Sequence, residues 1–283
     1  MARSCISFFF SRCEIISHAW AWIKHLHLSD IIAQMMQIFL IGIAAGMFGG
    51  LAGLGGGVIM IPLLVSIRKF TQHMAHGTSL VALVFTGIAG SLTYYLNGSV
   101  DITASFFLAG SAIITAPAGA RFANSLPGWR LKRYFGFFLV AVSVLLLSKP
   151  YLSSHLLVTA LQYRYPVLIM TGLLTGFLSG MMGVGGGTVM VPALVLFSGM
   201  GQHMGQGTAL FAMVPAGGVG AFTHWKLGNV DIRVLPALIP GIAIGTFIGS
   251  TAAHLLPDFW LRLIFSGILL WTGISDIRTR RSD

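Results

Sequence analysis

The residues best placed to do chemistry in this chain are glycines. The stretch Gly49-Gly50-Leu51-Ala52-Gly53-Leu54-Gly55-Gly56-Gly57-Val58-Ile59-Met60-Ile61-Pro62 interrupts an apolar run, and a second copy, Ser179 to Pro192, follows 130 residues later. A triple glycine cannot cheaply continue a helix. In hydrocarbon each freed N–H or C=O costs several kcal/mol unless protein or a water-lined cavity satisfies it. Paired breaks in two halves of a chain point to the central site of a transporter. A short helix is expected to start after each break, at Val58 and Thr188, with unpaired first N–H groups and a positive dipole end. Two such ends meeting near the midplane would bind an anion through backbone alone. Glycine suits this because a Cβ would block the ligand and disfavour φ > 0. Gly55, Gly56, Gly57 and Val58, with Gly185, Gly186, Gly187 and Thr188, are therefore the candidate substrate-binding residues. Close helix packing is the competing account of such glycines; the doubling of the motif favours a site.

Other repeated residues surround this element. Pro62 and Pro192 fall inside the short helices and should bend them. Gly77-Thr78 and Gly207-Thr208 are expected to open the next spans, where Thr78 and Thr208 either cap a helix or bind a ligand oxygen. Gln72-His73 and Gln202-His203 recur as candidates for proton coupling or gating. A loop histidine at the interface is the alternative. Asp101 and Asp231 read as turn residues. No acidic residue is expected within a span, and no span is expected to carry an aspartate near a histidine. Glu14 is the sole glutamate. Metal-ligand spacing, HExxH and paired acids are missing from the sequence, so neither an enzyme nor a bound metal or cofactor is expected. The expected partners are a small anionic substrate and the lipid bilayer, without nucleic acid.

The elements that must hold these residues are membrane helices. Hydrophobic residues make up 55% of the 283 and charged ones only 8%, with mean hydropathy +0.86, which implies a polytopic, all-α integral membrane protein. The net charge of +10 is carried between apolar runs, as in juxtamembrane anchors. Ile31–Phe48 could cross a membrane, since 18 residues span about 27 Å. The repeat keeps one register throughout: Gln72-His73-Met74 with Gln202-His203-Met204, Val100-Asp101-Ile102 with Val230-Asp231-Ile232, Leu126-Pro127 with Leu256-Pro257. The organisation read from this is an interfacial segment 1–30, repeat 1 at 31–148, a connector at 149–164, repeat 2 at 165–277 and a basic tail at 278–283. Each repeat holds one glycine-broken hairpin and about three spanning helices. Cys5 and Cys13 suggest no disulfide framework.

Charge sets the orientation. Arg68-Lys69, Arg121 to Arg133, Lys226 to Arg233 and the basic tail should lie inside, and the Asn97–Ile102 and Ser198–Gly205 loops outside. Arg262 runs against the pattern. This works only if the repeats have inverted topology with both termini cytoplasmic, in an inner (plasma) membrane.

With these motifs in place the chain resembles the TauE/SafE family of sulfite and organosulfonate exporters, over about Ile31 to Asp276. The resemblance rests on the doubled GxGGGxxxxPxL (Gly53 to Leu64, Gly183 to Leu194), on Gly-Thr-[Ser/Ala]-Leu (Gly77–Leu80, Gly207–Leu210) and on Gly-x-Val-Asp-Ile (Gly98–Ile102, Gly228–Ile232). It implies a secondary transporter, an exporter of small sulfur-containing anions. A passive anion channel and a carrier of non-sulfur organic anions are the alternatives. Pro215, standing where the first half has Phe85, is the main departure between the copies.

Overall fold

A computed structural model describes residues 31–125, 127–148 and 164–278. The N-terminal segment, with Cys5 and Cys13, most of the connector and the basic tail lie outside the described residues. Among those described every regular element is helical: α1 Ile31–Ala52, α2 Gly57–Arg68, α3 Gln72–Leu96, α4 Ile102–Ser125, α5 Gly128–Leu147, α6 Arg164–Met182, α7 Gly187–Phe197, α8 Gln202–Lys226, a 3-10 turn Ile232–Val234, α9 Leu235–His254 and α10 Asp258–Arg278. Six segments are long and apolar enough to cross a membrane: α1, α3, α4, α6, the 3-10 turn with α9, and α10. This is a multi-pass membrane protein.

Local chemistry sets the boundaries. Thr71 Oγ1 accepts from Met74 N (3.3 Å), so α3 starts at Gln72. Asp101 Oδ1 accepts from Ala104 N (2.9 Å), and Asp231 Oδ1 from Arg233 N (2.9 Å), which are the turn roles expected of these aspartates. Helix α1 runs past the expected stop at Phe48 to Ala52. Gly50 is held in it by packing, since a Cβ there would lie 2.5 Å from Thr246 O.

The two halves are interlocked through reciprocal contacts. Gly42, Gly46 and Gly50 of α1 face Leu238, Ile242 and Thr246 of α9, while Gly241, Gly245 and Gly249 of α9 face Phe39, Ile43 and Met47. The contacts advance together, so α1 and α9 run parallel. The equivalent pair does the same: Gly172, Gly176 and Gly180 of α6 lie against Leu108, Ala112 and Ala116 of α4. Backbone contact this close is open only to glycine, and it replaces hydrophobic driving force as the source of helix association in lipid. By contrast α3 and α8 run antiparallel. Gly77 meets Asn229, Gly217 lies near Val84, and Gly207 meets Ser99. Helices α5 and α10 are also antiparallel, with Gly136 on Gly273 and Ser143 Oγ donating to Ser266 O (2.8 Å). In these pairs a contact between i and j recurs with the 130-residue offset exchanged.

Both glycine breaks are hairpin tips. Arg68 at the end of α2 donates to Gln34 Oε1 (3.3 Å) at the start of α1. Helix α6 begins at Arg164, ion-paired with Asp101, and α8 begins in the same layer, where Gly207 abuts Ser99. Each hairpin therefore leaves one end of the bundle and returns to it. The ends differ: Ser99, Asp101, Arg164 and Gly207 lie at one, Gly77, Asn124 and Asn229 at the other.

Candidate functional site

The two breaks lie against each other. In the first, Leu54 N donates to Gly49 O (3.2 Å), and Gly53, Gly55 and Gly56 take φ of 69°, 82° and 79°. In the second, Gly183 N donates to Ser179 O (2.9 Å), with Gly183 at 63° and Gly185 at 87°. These left-handed positions are where glycine is required. Gly186, at φ −67°, departs from its counterpart Gly56. Gly55 and Gly185 both pack against Leu83 and Met213, which are equivalent residues. Gly57 lies on Gly183 and Val184, and Gly187 on Gly53 and Leu54.

The first N–H groups of α2 and α7 therefore lie inside the molecule. Residues Gly53 to Val58 and Met181 to Met190 are all buried. Among the described residues, the N–H groups of Gly55, Gly56, Gly57 and Val58, and of Gly185, Gly186, Gly187 and Thr188, donate to no acceptor. Buried N–H groups without partners are rare in native proteins, and each costs about 1–3 kcal/mol when left unmade. Their clustering at two facing helix starts, each worth roughly half a positive charge, produces an electropositive centre with no cationic side chain.

Side chains complete it unequally. Thr188 Oγ1 lies 3.4 Å from Gly185 O. Pro62 and Pro192 are inside α2 and α7 as expected. Thr175 was not expected at the site. It is 1% exposed, its Oγ1 has no partner, and its Cγ2 is 2.5 Å from where a Gly186 Cβ would lie. Its counterpart is Ala45, so the repeat gives no signal for it, and a lone threonine in an apolar span reads as packing. Ser79 was also missed: its Oγ donates to Gly183 O (2.6 Å) and ties the second break to α3. The equivalent position holds Ala209.

The structure corrects two readings. Thr78 and Thr208 do not open helices, because α3 and α8 already start at Gln72 and Gln202. Their hydroxyls instead accept from the other half, from Asp231 N (3.1 Å) and Asp101 N (3.0 Å) respectively. The expectation that the spans hold no acid, and no aspartate near a histidine, also fails, since the span Asp258–Arg278 contains both Asp258 and Asp276. Asp276 is buried within α10, and Asp258 Oδ1 lies 2.5 Å from His203 Nδ1. These partners are 55 residues apart in sequence, so no local motif could reveal them.

The repeated Gln-His pairs sit at opposite ends of the bundle. At one, His76 Nε2 and Gln72 Oε1 are 3.3 Å apart, and His73 lies on the same turn. At the other are Gln202 and His203. Gln202 is 2% exposed with neither side-chain polar atom paired. Equivalent residues Tyr94 and His224 each tether a hairpin: Tyr94 OH bonds Gly50 O (3.1 Å), and His224 Nε2 donates to Gly180 O (2.9 Å). A cavity of about 600 Å³ opens beside α3, α4 and α8, but its lining, including Ile88, Leu92, Phe106, Phe211 and Pro215, is too apolar for an anion.

Comparison with known proteins finds relatives named as probable membrane transporters. The family profile described as "Sulfite exporter TauE/SafE" matches residues 38–275. The chain is 28% identical over 263 residues to "Probable membrane transporter protein YunE" of Bacillus subtilis (strain 168), covering 83% of this chain and 94% of that protein. It is 25% identical to the same organism's "Probable membrane transporter protein YdhB", covering 86% and 98%. A shorter match, 34% over 88 residues, is to "Sulfite exporter TauE/SafE family protein 3" of Arabidopsis thaliana, covering 31% of this chain and 18% of that protein. No solved structure matches.

Proposed function

The chain belongs to the TauE/SafE sulfite exporter family of membrane transporters, and from that premise we propose that it is a secondary transporter, an exporter, of small sulfur-containing anions such as sulfite or organosulfonates. The anion is held where the two breaks cross, by the N–H groups of Gly55 to Val58 and Gly185 to Thr188, with the hydroxyls of Thr188 and Thr175 beside them. The observation carrying this reading is the set of buried N–H groups without acceptors at two facing helix starts. Thr78 and Thr208 serve the site indirectly, by fixing the loops of the opposite half.

The halves lie inverted in an inner (plasma) membrane with both termini cytoplasmic. The antiparallel course of α3 and α8 and the charge distribution support this orientation. Alternate exposure of the crossing point would then come from movement of one half against the other.

Two helix ends together offset about one negative charge. A monoanion such as bisulfite or a sulfonate is therefore the favoured species, because a dianion leaves about one charge uncompensated away from water. The test is a panel of sulfite, sulfoacetate, taurine and acetate in proteoliposomes at clamped potential. Uphill movement of a sulfur-containing anion, with flux following its monoanionic fraction, is expected. Purely downhill flux would make the protein a channel, and a carboxylate preference would reassign the substrate.

A further inference from the structure

One polar cluster belongs to the second half alone. His203 Nδ1 faces Asp258 Oδ1 at 2.5 Å, and its Nε2 faces Ala253 O at 3.1 Å. Both partners are acceptors, whereas a neutral imidazole carries one N–H. The two bonds together require a second proton on the ring. Asp258 Oδ2 also accepts from Gln202 N (3.0 Å), so the carboxylate fastens the first turn of α8 to the start of α10. Side-chain exposures of 23% for His203 and 54% for Asp258 leave the pair in reach of water.

Contacts connect this pair to the first break. The His203 and His254 rings lie 5.4 Å apart, and the His254 and Tyr94 rings 4.6 Å. His254 Nδ1 donates to Ser250 O (2.8 Å), and its buried Nε2 has no partner. Tyr94 OH is 2.8 Å from Gln206 Oε1 and 3.1 Å from Gly50 O. Gln206, fully buried with its amide nitrogen unpaired, covers Gly53. The other charged groups near this end are accounted for: Arg262 lies over the Phe259 ring at 5.9 Å, and Asp101 pairs with Arg164.

The first half lacks the device. Gly128 stands at the position of Asp258, Asn124 at that of His254, His224 at that of Tyr94 and His76 at that of Gln206. Among the described residues His73 has no carboxylate partner.

We propose that the His203–Asp258 pair is the proton-binding site of the transport cycle, and that its bound proton closes the mouth over the first break. With the proton present, imidazolium and carboxylate hold α8 to the ends of α9 and α10, and Gln206 stays over Gly53. Loss of that proton to water gives up one of the two His203 bonds and frees the first turn of α8. Proton release and opening of this end are thereby linked, and coupling resides in one half of the repeat.

The coupling to anion flux rests on the function proposed above, so the test has two arms. In the first, ¹⁵N-histidine spectra of the full chain in lipid nanodiscs should show N–H protons on both His203 nitrogens, bonded to Asp258 and Ala253, in wild type and loss of the Nδ1 bond in Asp258→Asn. A neutral His203 in wild type, or an unchanged His203 in the variant, overturns the proton site. In the second, proteoliposomes carry methanesulfonate, which stays a monoanion at every pH used, under an imposed pH gradient at clamped potential. For one proton per anion, wild type accumulates about tenfold per unit of gradient. His203→Gln should lose that accumulation but keep downhill exchange, and His73→Gln should keep both. Accumulation indifferent to the gradient in wild type, or equal loss in both variants, overturns the coupling. If wild type carries no anion, the function proposed above fails, and the spectra still decide the proton site.

Discussion

Gly186→Val abolishes anion binding and leaves the protein folded in the membrane. Gly186 has an ordinary φ of −67°, so valine imposes no backbone strain there. Its Cβ would meet Thr175 Cγ2 at 2.5 Å and the Met190 methyl at 3.3 Å, so the added side chain displaces Thr175 and crowds the start of α7. Losing two charge-assisted hydrogen bonds, each worth about 1.5–3 kcal/mol, lowers affinity by on the order of 10²- to 10⁴-fold. Gly56→Val gives the same loss with an added cost to folding. That position has φ 79°, and a side chain would strike Ala45 O at 2.5 Å, so roughly 1–2 kcal/mol of left-handed strain accompanies it. Gly110→Val, where nothing lies within 4 Å of the added Cβ, should bind as wild type. The check is calorimetric or fluorescence titration with sulfite on purified, monodisperse protein. Unchanged affinity in Gly186→Val would return the glycines to packing.

Single cysteines at Ser99 and Asn229 label from opposite sides of the membrane, in an all-or-none manner. These residues are equivalent in the repeat, yet Ser99 contacts the start of α8 and Asn229 the start of α3, at the two ends of an antiparallel helix pair of 25 residues each. The expected result, in a background with Cys5 and Cys13 replaced by serine, is modification of Ser99→Cys by an impermeant maleimide added outside. Asn229→Cys should react only after permeabilisation. Reaction of both from one side contradicts the inverted arrangement.

What the sequence disclosed and what it hid follow from the reach of each interaction. The helices and breaks were legible because hydropathy and glycine runs act locally, and a register of 130 residues made each half a check on the other. Boundaries slipped where a local cap or a distant contact decided. Thr71 starts α3 earlier than the Gly77-Thr78 motif suggested, and packing of Gly50 on α9 carries α1 beyond Phe48. Thr78 and Thr208 were noticed for their recurrence, but their bonds cross between halves and emerge only in three dimensions. The repeat also concealed what is peculiar to one copy. Thr175, Ser79, Asp258, His254 and Tyr94 have counterparts of different chemistry, so the repeat carries no signal for them; His203 does recur, as His73, but its partner Asp258 does not. Tyr94 and His224 show the reverse, two unlike side chains holding equivalent carbonyls in place.

The claim that an anion sits on the backbone of both breaks is tested most directly by amide spectroscopy. In protein labelled with ¹⁵N-glycine and held in nanodiscs, sulfite should shift the amide resonances of Gly55, Gly56 and Gly57 together with those of Gly185, Gly186 and Gly187. All six should move with one saturating binding curve, and Gly110 and Gly267, far from any contact, should stay fixed. Sulfite that is transported while those six amides remain unmoved would contradict the account.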